Sequence, residues 1–149
     1  MRLAYSTIGQ LAYIVLATAI LAPYSILAAV LHLAFHALGK IMLFLSAGII
    51  ATRVNVKYVS EMNGISTSLP YTSLLLSLGA IIMVGLPPTI GFISKWFLIQ
   101  GIIDADMYIL VAVIVLSTIL NAAYYFPMIY KPFFGPSNCL LYTSPSPRD

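Results

Sequence analysis

The chain has 149 residues, of which 61% are hydrophobic and only 7% charged, with a formal net charge of +3 at pH 7. A water-soluble domain carries about 25% charged residues, so this chain holds too little polar material to cover a surface in water, and membrane embedding follows. Its seven basic residues, two of them inside apolar segments, form no stripe that could track a phosphate backbone, and we expect no nucleic acid among its partners. The single cysteine, Cys139, supplies neither a disulfide framework nor a metal motif, and we expect no metal site and no cofactor.

Met1-Arg2 leads straight into apolar sequence, without the basic start, short apolar core and small-residue cleavage site of a secretory signal followed by a soluble domain. The abrupt start reads as the middle of a larger protein. Leu3–Ala22 is apolar, and its twenty residues would extend ~30 Å as a helix, enough for a bilayer core. Pro23-Tyr24 interrupts it, and Ser25–Ala51 is long enough to cross even when tilted. Arg53 and Lys57 follow in a loop that reaches about Leu69, where Glu61 sits with Asn63 and Gly64 and solvent exposure is the expectation. The third stretch runs from Pro70, a residue suited to a first helical turn, to about Leu86.

Pro87-Pro88 then breaks the helix, because proline lacks the amide proton and clashes with the preceding turn; Gly85 and Gly91 flank the break. Thr89–Ile103 is short for a complete span and, with Asp104-Ala105-Asp106 after it, reads as part of a discontinuous helix. Such breaks are tolerated at membrane depth only where protein or a cavity receives the loose backbone groups, and they bring helix ends close to an ion route. Asp104 and Asp106 are candidates to cap the next helix or to mark an entrance to such a route. Met107–Tyr130 is ample for a span, with Pro127 placed to bend its end. The pattern predicts an all-α membrane bundle of five transmembrane pieces, or four plus a broken one. Arg2, Arg53 and Lys57 share one side if the first two spans form a hairpin, and the positive-inside tendency puts that side in the cytoplasm. Lys131 falls on the opposite side if the short segment crosses completely.

Ionisable groups at membrane depth are expensive and usually belong to an ion path. His32, His36 and Lys40 follow one another at four-residue steps, which drift by only ~80° around a helix while rising ~12 Å. They can line one side of a helix and address a common wet interior. Histidine changes charge near neutral pH, and the row allows proton binding and release without a metal. The competing reading has the histidines pair with neighbouring helices while Lys40 snorkels, although Lys40 lies ~15 residues from the start of its segment and ~11 from the end, far for snorkelling. Lys95 follows the proline break and precedes Trp96-Phe97; it reads equally as a second protonatable station or as an interfacial anchor. Ser6, Thr7 and Gln10 share a helical face and suit either a water chain or interhelical glue. Asn121 is a candidate bridge between helices. Tyr124-Tyr125 reads as an interfacial aromatic belt, and Gly9, Gly39, Gly48, Gly79 and Gly91 permit close packing.

Taken together, RLAYSTIGQLAYIVL, HLAFHALGKIMLFLSAG and GLPPTIGFISKWFLIQG resemble the proton-conducting transporter family. That family comprises the antiporter-like membrane subunits of respiratory NADH:quinone oxidoreductase and the large subunits of multisubunit cation/proton antiporters. The resemblance covers nearly all of Met1–Phe134 and rests on the order and spacing of the motifs. It implies part of the second of two inverted five-helix units, with the first unit and its glutamate-lysine pair absent. It also implies that Lys40 is the central lysine of the histidine-rich helix, with His32 and His36 its associated histidines, and that Lys95 is the lysine after the broken-helix prolines. EMNGISTSLP, GLPPTIGFISKWFL and LSTILNAAYYFPMIYKPFF look most like a D-type subunit of a multisubunit antiporter exchanging protons for a monovalent cation such as sodium. A quinone-oxidoreductase or membrane-hydrogenase subunit is the alternative, and a structural scaffold held by polar interhelical contacts is a third. The resemblance implies other membrane subunits as partners, protons and sodium as cargo, lipid around the bundle, and a multi-pass location in the inner (plasma) membrane. No Rossmann glycine pattern, haem motif or iron–sulfur cysteine cluster appears, so no redox chemistry is expected within this chain.

After KPFFGPSN the composition changes to CLLYTSPSPRD. This tail resembles the conceptual translation of a transposase adapter used in preparing DNA libraries, the other reading being a short Pro/Ser-rich terminus. We expect residues 1–138 to be a partial transporter domain and 139–149 to be non-native, and we assign no function to Cys139, Arg148 or Asp149.

Overall fold

The computed structural model describes residues 2–56 and 58–135; Lys57 and the tail expected to be non-native, with its boundary at 138, lie outside them. Five α-helices carry the described chain: α1 (Arg2–Ile20), α2 (Pro23–Arg53), α3 (Pro70–Val84), α4 (Ile90–Asp104) and α5 (Ile109–Phe134). Short 3₁₀ turns at Val59–Glu61 and Ile65–Thr67 shape the loop between α2 and α3. Three of the helices, α1, α2 and α5, are long and apolar enough to cross a membrane, and their outward faces carry Ile8, Val15, Val30, Leu45, Leu116, Leu120 and Phe126 exposed. The chain is an all-α, multi-pass membrane protein, placed in an inner or plasma membrane.

The helix limits follow local chemistry. Pro23 does not separate α1 from α2 as a two-residue connector; it opens α2 at the first turn, where its missing amide proton costs no hydrogen bond. Gly85 ends α3 in the left-handed conformation (φ 77°), its amide bonded to the Ile81 carbonyl at 3.0 Å, as glycine readily does at a helix C-terminus. Pro87-Pro88, joined by a cis peptide bond, then prevents continuation. The helix α5 runs through Pro127 and Pro132 to Phe134. Neither aspartate caps it: Asp104 closes α4, while Asp106 accepts a hydrogen bond from the Tyr108 hydroxyl at 3.1 Å.

α3 and α4 lie end to end along the single long helix α2. Gly39 and Leu43 of α2 meet Met83 and Gly79 of α3, whereas His32 meets Ser94 and Ser25 meets Gly101 of α4. Together α3 and α4 thus make one broken crossing antiparallel to α2, with the break beside the middle of α2. This arrangement changes the expected sidedness of Lys131. With α3 and α4 counted as one crossing, α5 returns to the face where α2 ends, and the Gly64 amide of the α2–α3 loop donates to the Lys131 carbonyl at 3.2 Å. Arg53 and Lys131 therefore share a side, which removes the conflict with the positive-inside tendency.

Two apolar clusters close the bundle at its ends. Leu43, Ile50, Met62, Ile65, Leu76 and Tyr125 pack at the loop end, and Tyr13, Ala17, Ala28, Leu98, Ile102 and Ile114 at the other. Tyr125 is wholly buried, so the Tyr124-Tyr125 pair is not an interfacial belt. Its phenol faces the bundle because Ile114, Thr118, Asn121, Tyr125 and Met128 recur at helical spacing on one side of α5.

Candidate functional site: a polar layer at the helix break

Breaking a helix inside a membrane frees carbonyl groups that need donors. Two side chains supply them. The Lys95 ammonium, from the second turn of α4, donates to the Val84 carbonyl at 2.7 Å, and the Gln10 amide of α1 donates to the Met83 carbonyl at 3.2 Å. A cation at the C-terminal end of α3 also lies at the negative end of the helix dipole. The approach is close because Gly91 has no side chain: a Cβ there would fall 2.0 Å from the Ile82 carbonyl oxygen.

A connected set of polar groups spreads from the break across all the helices. Lys95 also donates to the Thr118 hydroxyl of α5 at 3.2 Å and stands 5.1 Å from the centre of the Tyr13 ring. That ring lies 5.5 Å from the His32 imidazole, and its hydroxyl donates to Ser117 at 2.6 Å and accepts from the Asn121 amide at 3.3 Å. His32 bonds through Nδ1 to the Ser94 hydroxyl at 2.9 Å and through Nε2 to the Gln10 amide oxygen at 3.0 Å.

The His32 contacts permit either protonation state. With the Gln10 nitrogen donating to Met83, its oxygen faces Nε2, so Nε2 carries hydrogen. The Ser94 hydroxyl lies within reach of both His32 Nδ1 and the Gly91 carbonyl, at 2.9 and 3.1 Å. With neutral imidazole the hydroxyl donates to Nδ1; with imidazolium, Nδ1–H donates to the hydroxyl, which turns its own proton to Gly91. One hydroxyl rotation accommodates the change of charge, with every polar atom paired in both states.

Two turns along α2, Lys40 forms a second centre. Its ammonium donates to the Ser6 hydroxyl and to the Leu3 carbonyl of α1, and it lies 5.8 Å from the Phe44 ring centre. His32, Lys40 and Lys95 are all buried, at 8, 8 and 4% exposure. His36, between His32 and Lys40, is half-buried, and its Nδ1 is sealed from solvent without a hydrogen-bond partner. Thr7 donates at 3.1 Å to the Leu3 carbonyl, which also accepts from Lys40. Gly85, Pro87, Pro88 and Gly91 form the break itself. Sequence reasoning singled out Gln10 and Asn121 but passed over Tyr13, Ser94, Ser117 and Thr118. Ser94 and Thr118 lie one residue from Lys95 and one helical turn from Asn121 respectively, yet serine and threonine are common in membrane helices and nothing in their spacing marks them.

The described residues form a multi-pass helical bundle with a broken helix and with His32, Lys40 and Lys95 buried inside it, the architecture of an antiporter-like membrane subunit. Residues 1–121 match the family described as NADH:quinone oxidoreductase/Mrp antiporter, TM, and the chain belongs to that family. It is 42% identical over 131 residues to NADH-quinone oxidoreductase subunit N of Desulforudis audaxviator, a match covering 88% of this chain and 26% of the relative. It is 33% identical over 136 residues to NADH-quinone oxidoreductase subunit L of Campylobacter jejuni, covering 91% and 22%. To F(420)H(2) dehydrogenase subunit M of Methanosarcina mazei it is 26% identical over 136 residues, covering 91% and 27%. The chain thus spans about a quarter of the length of these relatives.

Proposed function

We propose that this chain contributes part of the proton path of a membrane subunit in a multisubunit, proton-translocating complex. Protons pass between Lys95 and Lys40 by way of His32 and His36, with Ser94 and Gln10 holding His32 ready for either charge state. The observation that carries this reading is the placement of two buried ammonium groups, each held by carbonyl and hydroxyl oxygens, at the ends of the histidine row. Such acceptors leave each lysine free to become neutral without stranding a carboxylate. A purely structural scaffold has no need of a titratable group at each of these positions.

The complex most in keeping with the relatives is a redox-driven one, since those named above are subunits of NADH-quinone oxidoreductase and F(420)H(2) dehydrogenase. Electron transfer would then occur in other subunits and drive protons through this one. The second reading, a D-type subunit exchanging protons for sodium, draws on the loop, the break and the last helix, EMNGISTSLP, GLPPTIGFISKWFL and LSTILNAAYYFPMIYKPFF. In the intact parent protein reconstituted in vesicles, Lys40→Ala and Lys95→Ala should each abolish or greatly reduce driven pH changes, with assembly verified. Normal transport by both assembled variants would refute the relay. Dependence of the pH change on electron donor, or on sodium, separates the two complexes.

A further inference from the structure

Two carbonyls at the end of α3 have no donor in their own chain direction. In a continuing helix the Met83 carbonyl would be served by the amide of residue 87 and the Val84 carbonyl by that of residue 88. Both residues are proline, which has no amide proton. Lys95 serves Val84 at 2.7 Å, and Gln10 serves Met83 at 3.2 Å. The two donors differ in kind. An ammonium can present any of its hydrogens, whereas a primary amide has one donating end and one accepting end.

Met83 offers Gln10 a carbonyl, which only accepts, so the amide nitrogen of Gln10 must face it. The Gln10 oxygen then faces His32 Nε2 at 3.0 Å. An acceptor at that distance calls for hydrogen on Nε2 whether the ring is neutral or charged, because the bond made by one ring nitrogen sets where the hydrogen sits. The basic atom of neutral His32 is therefore Nδ1, which faces the Ser94 hydroxyl at 2.9 Å. Turning the Gln10 amide over would set its oxygen against the Met83 carbonyl and its nitrogen against Nε2. Gln10 is 1% exposed, so bulk solvent does not replace a lost partner.

We propose that Gln10 is a positioning residue that locks His32 in the Nε2–H tautomer, so that the imidazole takes up and returns its proton through Nδ1 alone, on the Ser94 side. A histidine that passes protons across its ring accepts at one nitrogen, donates from the other and must then exchange tautomers. Gln10 blocks that exchange. On loading, Nδ1 gains a proton from the relay while the Ser94 hydroxyl turns its own hydrogen to the Gly91 carbonyl; unloading reverses both changes. Ser94 immediately precedes Lys95, so His32 loads at the edge that faces α4. The prolines of the break thus reach His32 through Met83 and Gln10. The lock stands on the hydrogen bonds alone; its consequence for proton exchange rests on the relay proposed above.

Solid-state nitrogen NMR of the intact parent complex in lipid, with isotope-labelled histidine, tests the lock, because protonated and bare ring nitrogens resonate far apart. The His32 signals are assigned by their loss in His32→Gln, and spectra are taken above the pH at which its imidazolium signal disappears. The unaltered protein should show protonated Nε2 and bare Nδ1, with the other tautomer below about a tenth, since reversal strands a buried polar group. Gln10→Leu, which removes both bonds at similar volume, should raise the Nδ1–H form several-fold. Ser94→Ala leaves Gln10 in place and should keep the single tautomer. A bare Nε2 or a mixture of tautomers in the unaltered protein overturns the proposal, and so does a single Nε2–H tautomer in Gln10→Leu. If Gln10→Leu does not assemble, Ser94→Ala decides, because mixed tautomers there would assign the lock to the serine. A single tautomer together with normal transport by the Lys40 and Lys95 alanine variants would leave the lock standing and remove the relay. Mixed tautomers with transport lost in those variants would do the reverse.

Discussion

Gly91→Ala tests the packed helix break directly. Its Cβ would lie 2.0 Å from the Ile82 carbonyl oxygen, 3.0 Å from the Ile82 carbonyl carbon and 3.3 Å from the Gly85 Cα. Carbon and oxygen sit ~3.3–3.6 Å apart even in a favourable C–H···O contact, so the first turn of α4 must retreat by more than ~1 Å. The obstructing atoms are backbone, and no side chain can swing aside. Overpacking of this kind costs ~1–3 kcal/mol. The retreat also pulls against the 2.7 Å bond from Lys95 to Val84; losing that charged hydrogen bond adds ~1.5–3 kcal/mol. Two other glycines calibrate the result. At Gly101 a Cβ would meet the Ser25 amide nitrogen at 2.6 Å, a comparable clash far from Lys95, so Gly101→Ala should destabilise without changing transport per assembled molecule. At Gly9 nothing lies within 4 Å, and alanine there should be neutral or stabilise by ~0.5–1 kcal/mol. Thermal unfolding of the parent protein in nanodiscs, paired with vesicle pH changes normalised to assembled protein, reads both effects. The order Gly91→Ala least stable, Gly101→Ala intermediate and Gly9→Ala unchanged is expected, with a transport defect only in the first. A Gly91→Ala protein as stable and active as Gly9→Ala would refute the close approach of α4 to α3.

Ser94→Ala removes the rotor beside His32 and leaves Nδ1 without a partner, so proton transport should fall by about tenfold for ~1.4 kcal/mol while assembly persists; Ser94→Thr, which keeps the hydroxyl, should restore most of it. His32→Ala strands the Gln10 oxygen, whereas the Ser94 hydroxyl keeps its bond to the Gly91 carbonyl; ~1–3 kcal/mol for one buried unpaired group should appear as a lowered unfolding temperature, which a stability equal to the parent's would contradict. Tyr13→Phe keeps the ring between Lys95 and His32 but loses the bonds with Ser117 and Asn121; a cost of ~0.5–1.5 kcal/mol in stability is expected. Transport lost entirely in Tyr13→Phe would place that hydroxyl in the proton path rather than in the packing. Ser6→Ala deprives Lys40 of its side-chain acceptor and should slow transport more than Thr7→Ala, whose hydroxyl only shares the Leu3 carbonyl with Lys40.

The elements were legible because each limit has a local cause. Proline at 23, 70, 87 and 88 and glycine at 85 act through their own backbones, and no tertiary contact is needed to read them. The four-residue rhythm of His32, His36 and Lys40 likewise survives any packing, since a helix fixes the spacing of its own side chains. What did not follow from the chain in one dimension was how α3 and α4 align. Two fifteen-residue helices could each cross steeply or together make one crossing, and only their contacts with α2 decide. Gly39, Gly79 and Gly101 set those contacts, yet a glycine in a membrane helix looks the same whether a neighbour fills its place, as at Gly101, or nothing does, as at Gly9.

The same limit explains the site. Charged residues announce themselves in apolar sequence because their burial is costly; the groups that make the burial tolerable are ordinary. Lys95 depends on Val84, whose contribution is a backbone carbonyl that any residue would provide, and on Thr118, twenty-three positions away. The Tyr124-Tyr125 pair reads as interfacial because aromatic pairs near span ends usually belong there, and the structure buries Tyr125 because it falls on the side of α5 that packs against Leu76 and Ala80 of α3. A membrane sequence therefore reveals where charge enters the bilayer more readily than what receives it. Here the receiving groups lie at the ends of a helix that stops in mid-membrane: the break creates the acceptors that hold Lys95, and Lys95 in turn satisfies the break. A lysine that titrates at this position would change the number of donors serving the C-terminus of α3, which couples proton occupancy to the packing of α3 against α4.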